Sequence, residues 1–426
     1  MTAEPVFIPA TLSRADTVAL RPGTLRLMPT DQQAGLDPYM QQIITNRKSG
    51  LSLNHIIGCP LDCGYCVRHF WGNFEQKIPQ LLVTTEEAVE MLVGHSEFLP
   101  HTTPIQLFNK ATDPFLPGVK PHTFQVLEEL DRRGLTNLVL IITRFHVTEQ
   151  DMTRLEQLSH VRPTLLFTYS GITDDRVEPI ARSTTTVDSL RTAAAGRSRT
   201  KVILYWRPIV PGWNDDPDTM AHVLNVGADV DAIVFTGYYH KEENATYLRD
   251  LGVPVPYEEN WQRRKVLPGD LDARVIQAWR DSGIATPLYR KTSCGVTASW
   301  EVADYNGHLG VPELCDICPE EQVARCRAAL RAPTGQEFRA ALDLFGFDPE
   351  TPFVVEDGHV LTGTLGEQRR YALQHYFGYQ MWEVKHPHVH AAHGRALEGY
   401  TLTPSEQAQL DEARDRLAAA ARHDDD

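Results

Sequence analysis

The sequence has fewer basic than acidic residues and no long apolar stretch. Lys and Arg number 41 against 56 Asp and Glu, which gives a formal net charge of −15. A chain this acidic is not drawn over long range to DNA or to a phospholipid surface. No apolar run is long enough to span a bilayer, and the N-terminus lacks a basic segment followed by an apolar one. We therefore predict a soluble cytoplasmic protein that has no membrane partner, and we do not expect a nucleic-acid partner.

Cysteine is missing from most of the chain. All seven cysteines fall into two groups, Cys59 to Cys66 and Cys294 to Cys326. An odd number of cysteines, gathered in this way, does not suit a disulfide framework. Metal ligation in a reducing compartment explains them better.

The middle of the chain has the pattern of an α/β protein. With 426 residues, of which 42% are hydrophobic, the chain is too long for one small domain. From Leu51 to about Arg290, short apolar segments alternate with longer amphipathic ones, as in βα units around a parallel sheet. Six or seven units predict an open or partial (β/α)6-type barrel, with its chemistry at the carboxyl ends of the strands. The predicted strands are Leu53–Ile57, Ile105–Phe108, Leu138–Ile142, Thr164–Thr168, Val202–Trp206, Ala232–Thr236 and Pro287–Tyr289, and the predicted helices are Thr85–Val93, Phe124–Arg133, Glu149–Gln157 and Leu271–Arg280.

Four regions are predicted along the chain. Residues 1–50 wrap the barrel, residues 51–290 form it, residues 291–332 carry the second cysteine group, and residues 333–426 form a small α+β domain for substrate recognition. The run Ala332–Gly335 predicts a linker, and Asp357-Gly358 predicts a hairpin over Phe353–Leu361. Helices are predicted at Gly366–Tyr376 and Thr403–Arg422, followed by a frayed tail from His423.

The first cysteine group has the spacing C-x3-C-x2-C, formed by Cys59, Cys63 and Cys66, and follows the first predicted strand. Three thiolates on one loop can hold three irons of a [4Fe–4S] cube and leave the fourth iron open. A zinc knuckle is the alternative, although zinc usually takes four ligands in two pairs. The run from Gly58 to Cys66 resembles the cluster loop of radical S-adenosylmethionine (SAM) enzymes. The resemblance implies a SAM-binding [4Fe–4S] cluster and a 5′-deoxyadenosyl radical that abstracts hydrogen from an unactivated carbon.

Several predicted strand ends between residues 50 and 215 are similar to the radical SAM branch that contains spore photoproduct lyase. The matching segments are Lys110–Pro114, Ile142–Arg144, Tyr169–Ser170, Glu178–Pro179 and Arg207–Gly212. One departure concerns the lyase's hydrogen donor, a cysteine thiol within the barrel, because this chain has no cysteine between Cys66 and Cys294. DNA repair is therefore not the expected activity.

The same resemblance implies residues that contact SAM. Asn109, Thr112 and Asp113 would lie beside its amine, where an oxygen can accept from an ammonium group. The guanidinium of Arg144 suits its carboxylate through paired hydrogen bonds. Each of these loop residues could instead satisfy local backbone groups. The full set of implied cofactor contacts is Tyr65 near the adenine, Asn109, Thr112, Asp113, Arg144, Ser170 at the ribose, and Arg207.

The second cysteine group has the spacing C-x20-C-x2-C-x7-C, formed by Cys294, Cys315, Cys318 and Cys326. It resembles the auxiliary-cluster modules, called SPASM or twitch domains, of many radical SAM enzymes. Four thiolates can close a second [4Fe–4S] cube that relays electrons, and the same four could hold a structural zinc. An auxiliary cluster would accept an electron from a substrate radical and give oxidation. Epimerisation would instead need a hydrogen donor such as a tyrosine or a free Cys294.

Two further segments, one aromatic and one rich in histidine, could each have either a functional or a purely structural role. His69, Phe70 and Trp71 could shield a radical from water or simply pack the loop. The segment from His386 to His393 could bind a metal, but a polar loop, or hydrogen bonds to a substrate, is the better interpretation because cysteine and carboxylate partners are absent nearby.

The prediction is thus a radical SAM enzyme of epimerase or dehydrogenase type. The expected substrate is a polar small molecule, such as a sugar or a glycosylated metabolite of antibiotic or other specialised biosynthesis. The electron donor would be a flavodoxin or a ferredoxin. Two alternatives stay open: radical modification of a peptide or nucleotide, and a binding protein without catalysis that zinc stabilises at both cysteine groups.

Overall fold

An eight-stranded sheet lies at the centre of the computed structural model, which describes residues 25–108, 110–180, 183–257, 267–311, 314–384 and 404–423. The strand order is β1-β2-β5-β6-β7-β8-β9-β10. Neighbours from β2 to β10 are parallel, and β1 is antiparallel to β2. These strands are β1 (Ile44–Arg47), β2 (Gly50–Leu53), β5 (Ile105–Leu107), β6 (Leu138–Thr143), β7 (Arg162–Tyr169), β8 (Lys201–Ile209), β9 (Ala232–Gly237) and β10 (Leu288–Tyr289).

Helices cover one face of this sheet. Along β8, Leu204 and Trp206 belong to the core under these helices, because alternate side chains of a strand point to opposite faces. Thr84 is the N-cap of the first covering helix. Its side chain accepts a hydrogen bond from the amide of Glu87, and the Glu87 carboxylate accepts one from the amide of Thr84. Before and around the sheet lie α1 (Thr30–Ala34), α2 (Pro38–Gln41), α3 (Thr85–Val93), α4 (Lys120–Arg132), α5 (Glu149–Glu156), α6 (Thr185–Gly196), α7 (Pro217–Val226), α8 (Glu242–Asp250) and α9 (Gly269–Ser282).

The opposite face, called the inner face below, packs against a further helix. Tyr205 of β8 and Val234 of β9 share a buried cluster with Cys294 and Val296 of α10 (Thr292–Ser299). The second cysteine group therefore begins on a helix that lies against the inner face. It continues to α11 (Glu320–Ala329).

A separate hydrophobic cluster forms the C-terminal module, residues 335–423 as far as they are described. Phe338, Leu342, Val360, Leu373 and Met381 are buried together. The helix α13 also packs against β1, and the Nε2 atom of His375 lies 3.2 Å from the carbonyl oxygen of Lys48 in the β1–β2 turn. The elements are α12 (Gly335–Leu344), β11 (Phe353–Glu356), β12 (His359–Thr362), α13 (Glu367–Phe377), β13 (Gln380–Glu383) and α14 (Pro404–His423).

The predicted α/β class with a parallel sheet is confirmed. The hairpin around Asp357-Gly358 is also confirmed, with Phe353 to Glu356 paired to His359 to Thr362. The first strand was predicted wrongly at Leu53–Ile57. The strand in the main sheet ends at Leu53. There the buried Asn54 hydrogen-bonds Ser52 and the chain leaves the sheet. Ile56–Ile57 form a separate strand, β3, which pairs with β4 (Gln80–Leu81).

The predicted linker at Ala332–Gly335 is partly wrong. Thr334 caps α12 through the amide of Glu337, so the helix already begins at Gly335. The segment from His386 to His393 lies outside the described residues, as do Asn109 and residues 1–24. In the described part of the chain, no helix is both long enough and apolar enough to cross a bilayer.

Two candidate metal centres

The cysteine loop, residues 58–66, is held by its main chain. Gly58 has a φ of +106°, and a Cβ at this position would lie 2.4 Å from the carbonyl oxygen of Ile78, so only glycine fits. The amide of Cys59 donates to Gln76 O at 3.0 Å, and the amide of Gly64 donates to Val177 O at 2.8 Å. The loop conformation thus does not depend on the three thiols, which remain available as ligands.

Burial makes two of these thiols, those of Cys59 and Cys63, poor acids on their own. It raises the pKa of Cys59 and raises that of Cys63 well above its usual range. Thiolate is the form that binds metal, so ligation here would release protons. The positive charges of Arg68 and Arg144 oppose this effect.

Arg68 is a partner of the cysteine loop that sequence reasoning missed. Its side chain is buried, and its guanidinium donates to the carbonyl oxygens of Cys59 and Phe74. Burial alone would lower its pKa, but the neighbouring charges of Cys59, Cys66 and Cys63 outweigh this and raise it. A fixed cation therefore lies beside all three sulfurs, where it balances the negative charge that thiolates bring.

Arg144 and Glu178 form a buried pair next to Cys63. The Nη1 atom of Arg144 donates to both carboxylate oxygens of Glu178 at 2.8 Å and to the hydroxyl of Tyr65 at 2.5 Å. The Tyr65 hydroxyl in turn donates to Glu178. Burial would lower the pKa of Arg144, but the charges of Cys63 and Glu178 raise it well above its usual range. Two predicted cofactor contacts, Tyr65 and Arg144, are thus brought together, and Glu178 joins them.

Asp113 connects two strand ends. Its Oδ1 atom accepts from the Thr143 hydroxyl at 2.6 Å and from the amide of Phe115 at 2.9 Å, and its Oδ2 atom accepts from the amide of Arg144 at 2.9 Å. Because these bonds use most of its acceptor positions, the carboxylate mainly fixes the backbone of Arg144. The predicted contact with an amine is not tested by this geometry.

The other predicted SAM contacts differ in whether their polar groups already have hydrogen-bond partners. The hydroxyl of Thr112 is buried and has no hydrogen-bond partner among the described residues, which a ligand group could supply. The hydroxyl of Ser170 accepts from the amide of Ile172 at 3.1 Å. The guanidinium of Arg207 lies 4.6 Å from the ring centre of Tyr205 on the inner face. Asn109 is outside the described residues.

The residues after the third cysteine pack among aromatic side chains. His69 stacks on Phe74 at 3.7 Å between ring centres, and Trp71 lies 4.4 Å from Tyr39. Burial lowers the pKa of His69 to about 4, so its ring is neutral near pH 7. These contacts support the interpretation of loop packing.

The four cysteines of the second group, called the quartet below, line one cavity. Cys294 comes from α10, Cys326 from α11, and Cys315 and Cys318 from the segment between these helices. The amide of Asp304 and the side-chain amide of Gln322 each donate to the sulfur of Cys326 at 3.5 Å. Amide hydrogen bonds of this kind favour a sulfur that carries negative charge.

Asp304 and His308 also line the quartet cavity, and the sequence analysis did not identify them. The Nδ1 atom of His308 lies 2.8 Å from Asp304 Oδ2 and 3.9 Å from the sulfur of Cys294. Burial lowers the pKa of His308 to about 4. Burial would raise the pKa of Asp304, but its interactions with His308 and Ser293 lower it to about 2. Since a carboxylate only accepts, the proton of the neutral ring is on Nδ1.

One group of candidate ligand atoms is close together beside the quartet cavity. Among the described residues, Cys294, Asp304 and His308 form the one group of three candidate ligand atoms within 4.8 Å of one another. A thiolate, a carboxylate and an imidazole are all groups that bind metals.

Comparisons with known proteins found similarity only at the level of structure. No protein-family model and no curated protein matches the chain. Among solved structures, spore photoproduct lyase complexed with dinucleoside spore photoproduct is 12% identical, with a TM-score of 0.43 over 57% of this chain and 75% of the lyase. Streptococcus suis SuiB bound to S-adenosylmethionine is 10% identical, with a TM-score of 0.38 over 62% of this chain and 55% of SuiB. The sequence resembles the branch that contains spore photoproduct lyase, and this lyase is also among the similar solved structures.

Proposed function

We propose that the protein is a radical SAM enzyme whose cysteine loop binds the catalytic [4Fe–4S] cluster. The observation that carries the proposal is the position of this loop at the carboxyl ends of the parallel strands, where its Tyr65 bonds Arg144 and Glu178. When bound, a cube with three thiolate ligands supplies an open iron for SAM and the electron that generates the 5′-deoxyadenosyl radical.

The protein residues would bind and orient SAM. All the hydrogen bonds that Arg144 makes through its side chain to described residues come from Nη1. Its remaining N–H groups can therefore donate to a carboxylate while Glu178 holds the guanidinium in place. The orphaned hydroxyl of Thr112 can bond a polar group of the same ligand. Arg68 would keep the charge of the site balanced.

The quartet would bind the auxiliary [4Fe–4S] cluster. The lining of one cavity by all four cysteines and the amide donors at Cys326 support this proposal. If all four cysteines are ligands, oxidation of an alcohol carbon is favoured over epimerisation, because no thiol remains as a hydrogen donor. We therefore propose a dehydrogenase acting on a polar small molecule, such as a sugar, with a flavodoxin or ferredoxin as the electron donor. Epimerisation, with a tyrosine as donor, is the second candidate.

Anaerobic reconstitution tests the proposal. We expect about eight irons and eight sulfides per chain, and cleavage of SAM to methionine and 5′-deoxyadenosine after chemical reduction. Zinc without sulfide, and no SAM cleavage, would instead identify the protein as a zinc-stabilised binding protein.

Incubation with substrate in deuterium oxide separates the two types of reaction. Loss of two hydrogens from the product indicates oxidation. Deuterium in a product of otherwise unchanged composition indicates that an exchangeable donor quenched the radical, as in epimerisation.

A further inference from the structure

A second cavity, called the inner cavity, lies on the inner face beside the quartet cavity and is partly open to solvent. Tyr205 of β8 and Thr236 of β9 line it, and the guanidinium of Arg207 packs over the Tyr205 ring. His308 lines both this cavity and the quartet cavity. A molecule bound here would therefore lie next to the quartet and reach toward the carboxyl ends of the strands.

The lining of the inner cavity is cationic, although the chain as a whole is acidic. Lys48, Arg290 and Lys291 line it, and the described lining contains no Asp or Glu. The charge of Arg290 is balanced by Asp272, at 3.0 Å, and by Asp316. Lys48 comes from the β1–β2 turn and Lys291 from the residue before α10. Each ammonium group has three N–H donors, so the two lysines can offer hydrogen bonds to an anion in this cavity.

The start of α10 also favours an anion. Lys291, Thr292 and Ser293 line the cavity and form the N-cap and first two residues of the helix. The first turn has no acidic residue and no side-chain cap within the described structure. Its amide groups and the positive end of the helix dipole therefore add to the charge of the lysines.

His308 supplies a buried ring nitrogen to the inner cavity, in addition to the cationic groups. It is buried, it lines the cavity, and its Nε2 atom has no hydrogen-bond partner among the described residues. A hydroxyl group both donates and accepts, so it can satisfy this nitrogen in either tautomer of the ring. The hydroxyls of Tyr205, Thr236 and Thr292 can bond further hydroxyls.

We propose that the inner cavity binds a small polyhydroxylated anion, with its carboxylate or phosphate at Lys48, Lys291 and the start of α10 and a hydroxyl at Nε2 of His308. This inference rests on the proposed function, because it assigns the cavity to the substrate of that enzyme. It narrows the expected sugar to an acidic or phosphorylated one. The carbon that bears the bonded hydroxyl would lie on the side of the quartet.

Binding to the reconstituted protein tests this without turnover. The probes are D-gluconate, glucose 6-phosphate, inorganic phosphate and neutral glucose, measured by isothermal titration calorimetry with the wild type, Lys48→Gln, Lys291→Gln and Arg132→Gln. Arg132 is exposed on α4 and is the matched control for one lost positive charge. We expect gluconate or glucose 6-phosphate to bind at least tenfold more tightly than glucose. The two lysine variants should lose about tenfold in affinity, the size expected for one charged hydrogen bond, and Arg132→Gln should bind as the wild type does.

The two sugar probes distinguish a carboxylate site from a phosphate site, and phosphate alone shows whether the hydroxyls contribute. Equal binding of glucose and the anions, no binding of any anion, or unchanged affinity in both lysine variants would overturn the inference. SAM cleavage without substrate is measured on the same samples. If wild type and variants all cleave SAM while the probes fail to discriminate, the cavity assignment is wrong and the proposed function stands. If no sample cleaves SAM, the proposed function fails whatever the probes show.

Discussion

Arg144 and Glu178 lie 2.8 Å apart in a buried pair that touches the cysteine loop through Tyr65. Removing one member of such a pair leaves an uncompensated charge in the interior. The pair therefore has a structural role in addition to the SAM contact proposed for Arg144.

Replacement of Arg144 separates these roles. We expect Arg144→Met to lower the free energy of unfolding in urea by about 3 kcal/mol, because Glu178 loses its buried partner. SAM binding, measured by equilibrium dialysis, should fall below detection. The control is Arg176→Met, since Arg176 is half exposed in its pair with Asp174 and should cost less than about 1 kcal/mol. Equal losses in the two variants would show that Arg144 has no special role.

Arg68 should set the reduction potential of the loop cluster. A buried positive charge favours the reduced, more negative state, so Arg68→Met should make the potential more negative. We expect a shift of roughly 60 mV, the equivalent of a tenfold change in a one-electron equilibrium, in a titration followed by electron paramagnetic resonance. Lys77→Met is the control, because Lys77 also packs over the Phe74 ring and is paired with Asp62 at 2.5 Å. A positive shift, or identical potentials in both variants, would contradict the proposed role.

The two cysteine groups should be separable by single substitutions. Cys318→Ala should reduce the iron content to about four per chain and keep SAM cleavage, since the loop cluster is intact. Cys63→Ala should also keep about four irons but lose SAM cleavage completely. Iron analysis and chromatography of 5′-deoxyadenosine measure both outcomes. If Cys318→Ala kept the iron of the loop but lost SAM cleavage, the two cysteine groups would not be independent of each other.

Buried histidines should make the fold sensitive to mild acid. Burial, assisted by His122, lowers the pKa of His55 to about 3, below the value of 6.5 of an exposed histidine. Between these pH values the unfolded chain binds a proton that the folded chain does not, so stability falls as the pH drops from about 6.5 toward 3, by about 1.4 kcal/mol per pH unit for this residue.

Urea unfolding at a series of pH values measures this slope. His55→Gln should be less pH-dependent than the wild type by that amount. His101→Gln, which changes an exposed histidine, should follow the wild type. Parallel curves for all three proteins would show that His55 is not protonated differently in the two states.

The sequence predicted the regular elements best where burial and capping act locally. The strands β5 to β9 are apolar on both faces because helices and α10 cover both sides of the sheet, and such runs are visible in a sequence. The helix α3 was predicted with its bounds, Thr85 to Val93, and in the structure the capping box formed by Thr84 and Glu87 marks its start. In contrast, α10 has no apolar stripe of helical period, since it is buried on several sides, and it was not predicted.

The site residues that were missed depend on contacts between distant parts of the chain. Glu178 meets Tyr65 across 113 positions, and no spacing rule links them. Arg68 looks like a surface residue in the sequence, yet it is buried because two carbonyl groups satisfy it. Asp304 and His308 do have helical spacing, but without a cysteine between them they gave no metal-binding signal. The cysteines were found because their spacing alone defines the chemistry.

The contact between α13 and the β1–β2 turn gives the C-terminal module an indirect link to the inner cavity. His375 and Asn306 both bond the carbonyl oxygen of Lys48, and Gln368 of α13 accepts from the amide of Asn46. These contacts hold the turn that carries Lys48 in place, so the module can fix one wall of the inner cavity without touching a bound molecule. A chain that ended at residue 332 would keep all seven cysteines, and under the proposed function we expect it to lose selectivity for its substrate before it loses either cluster.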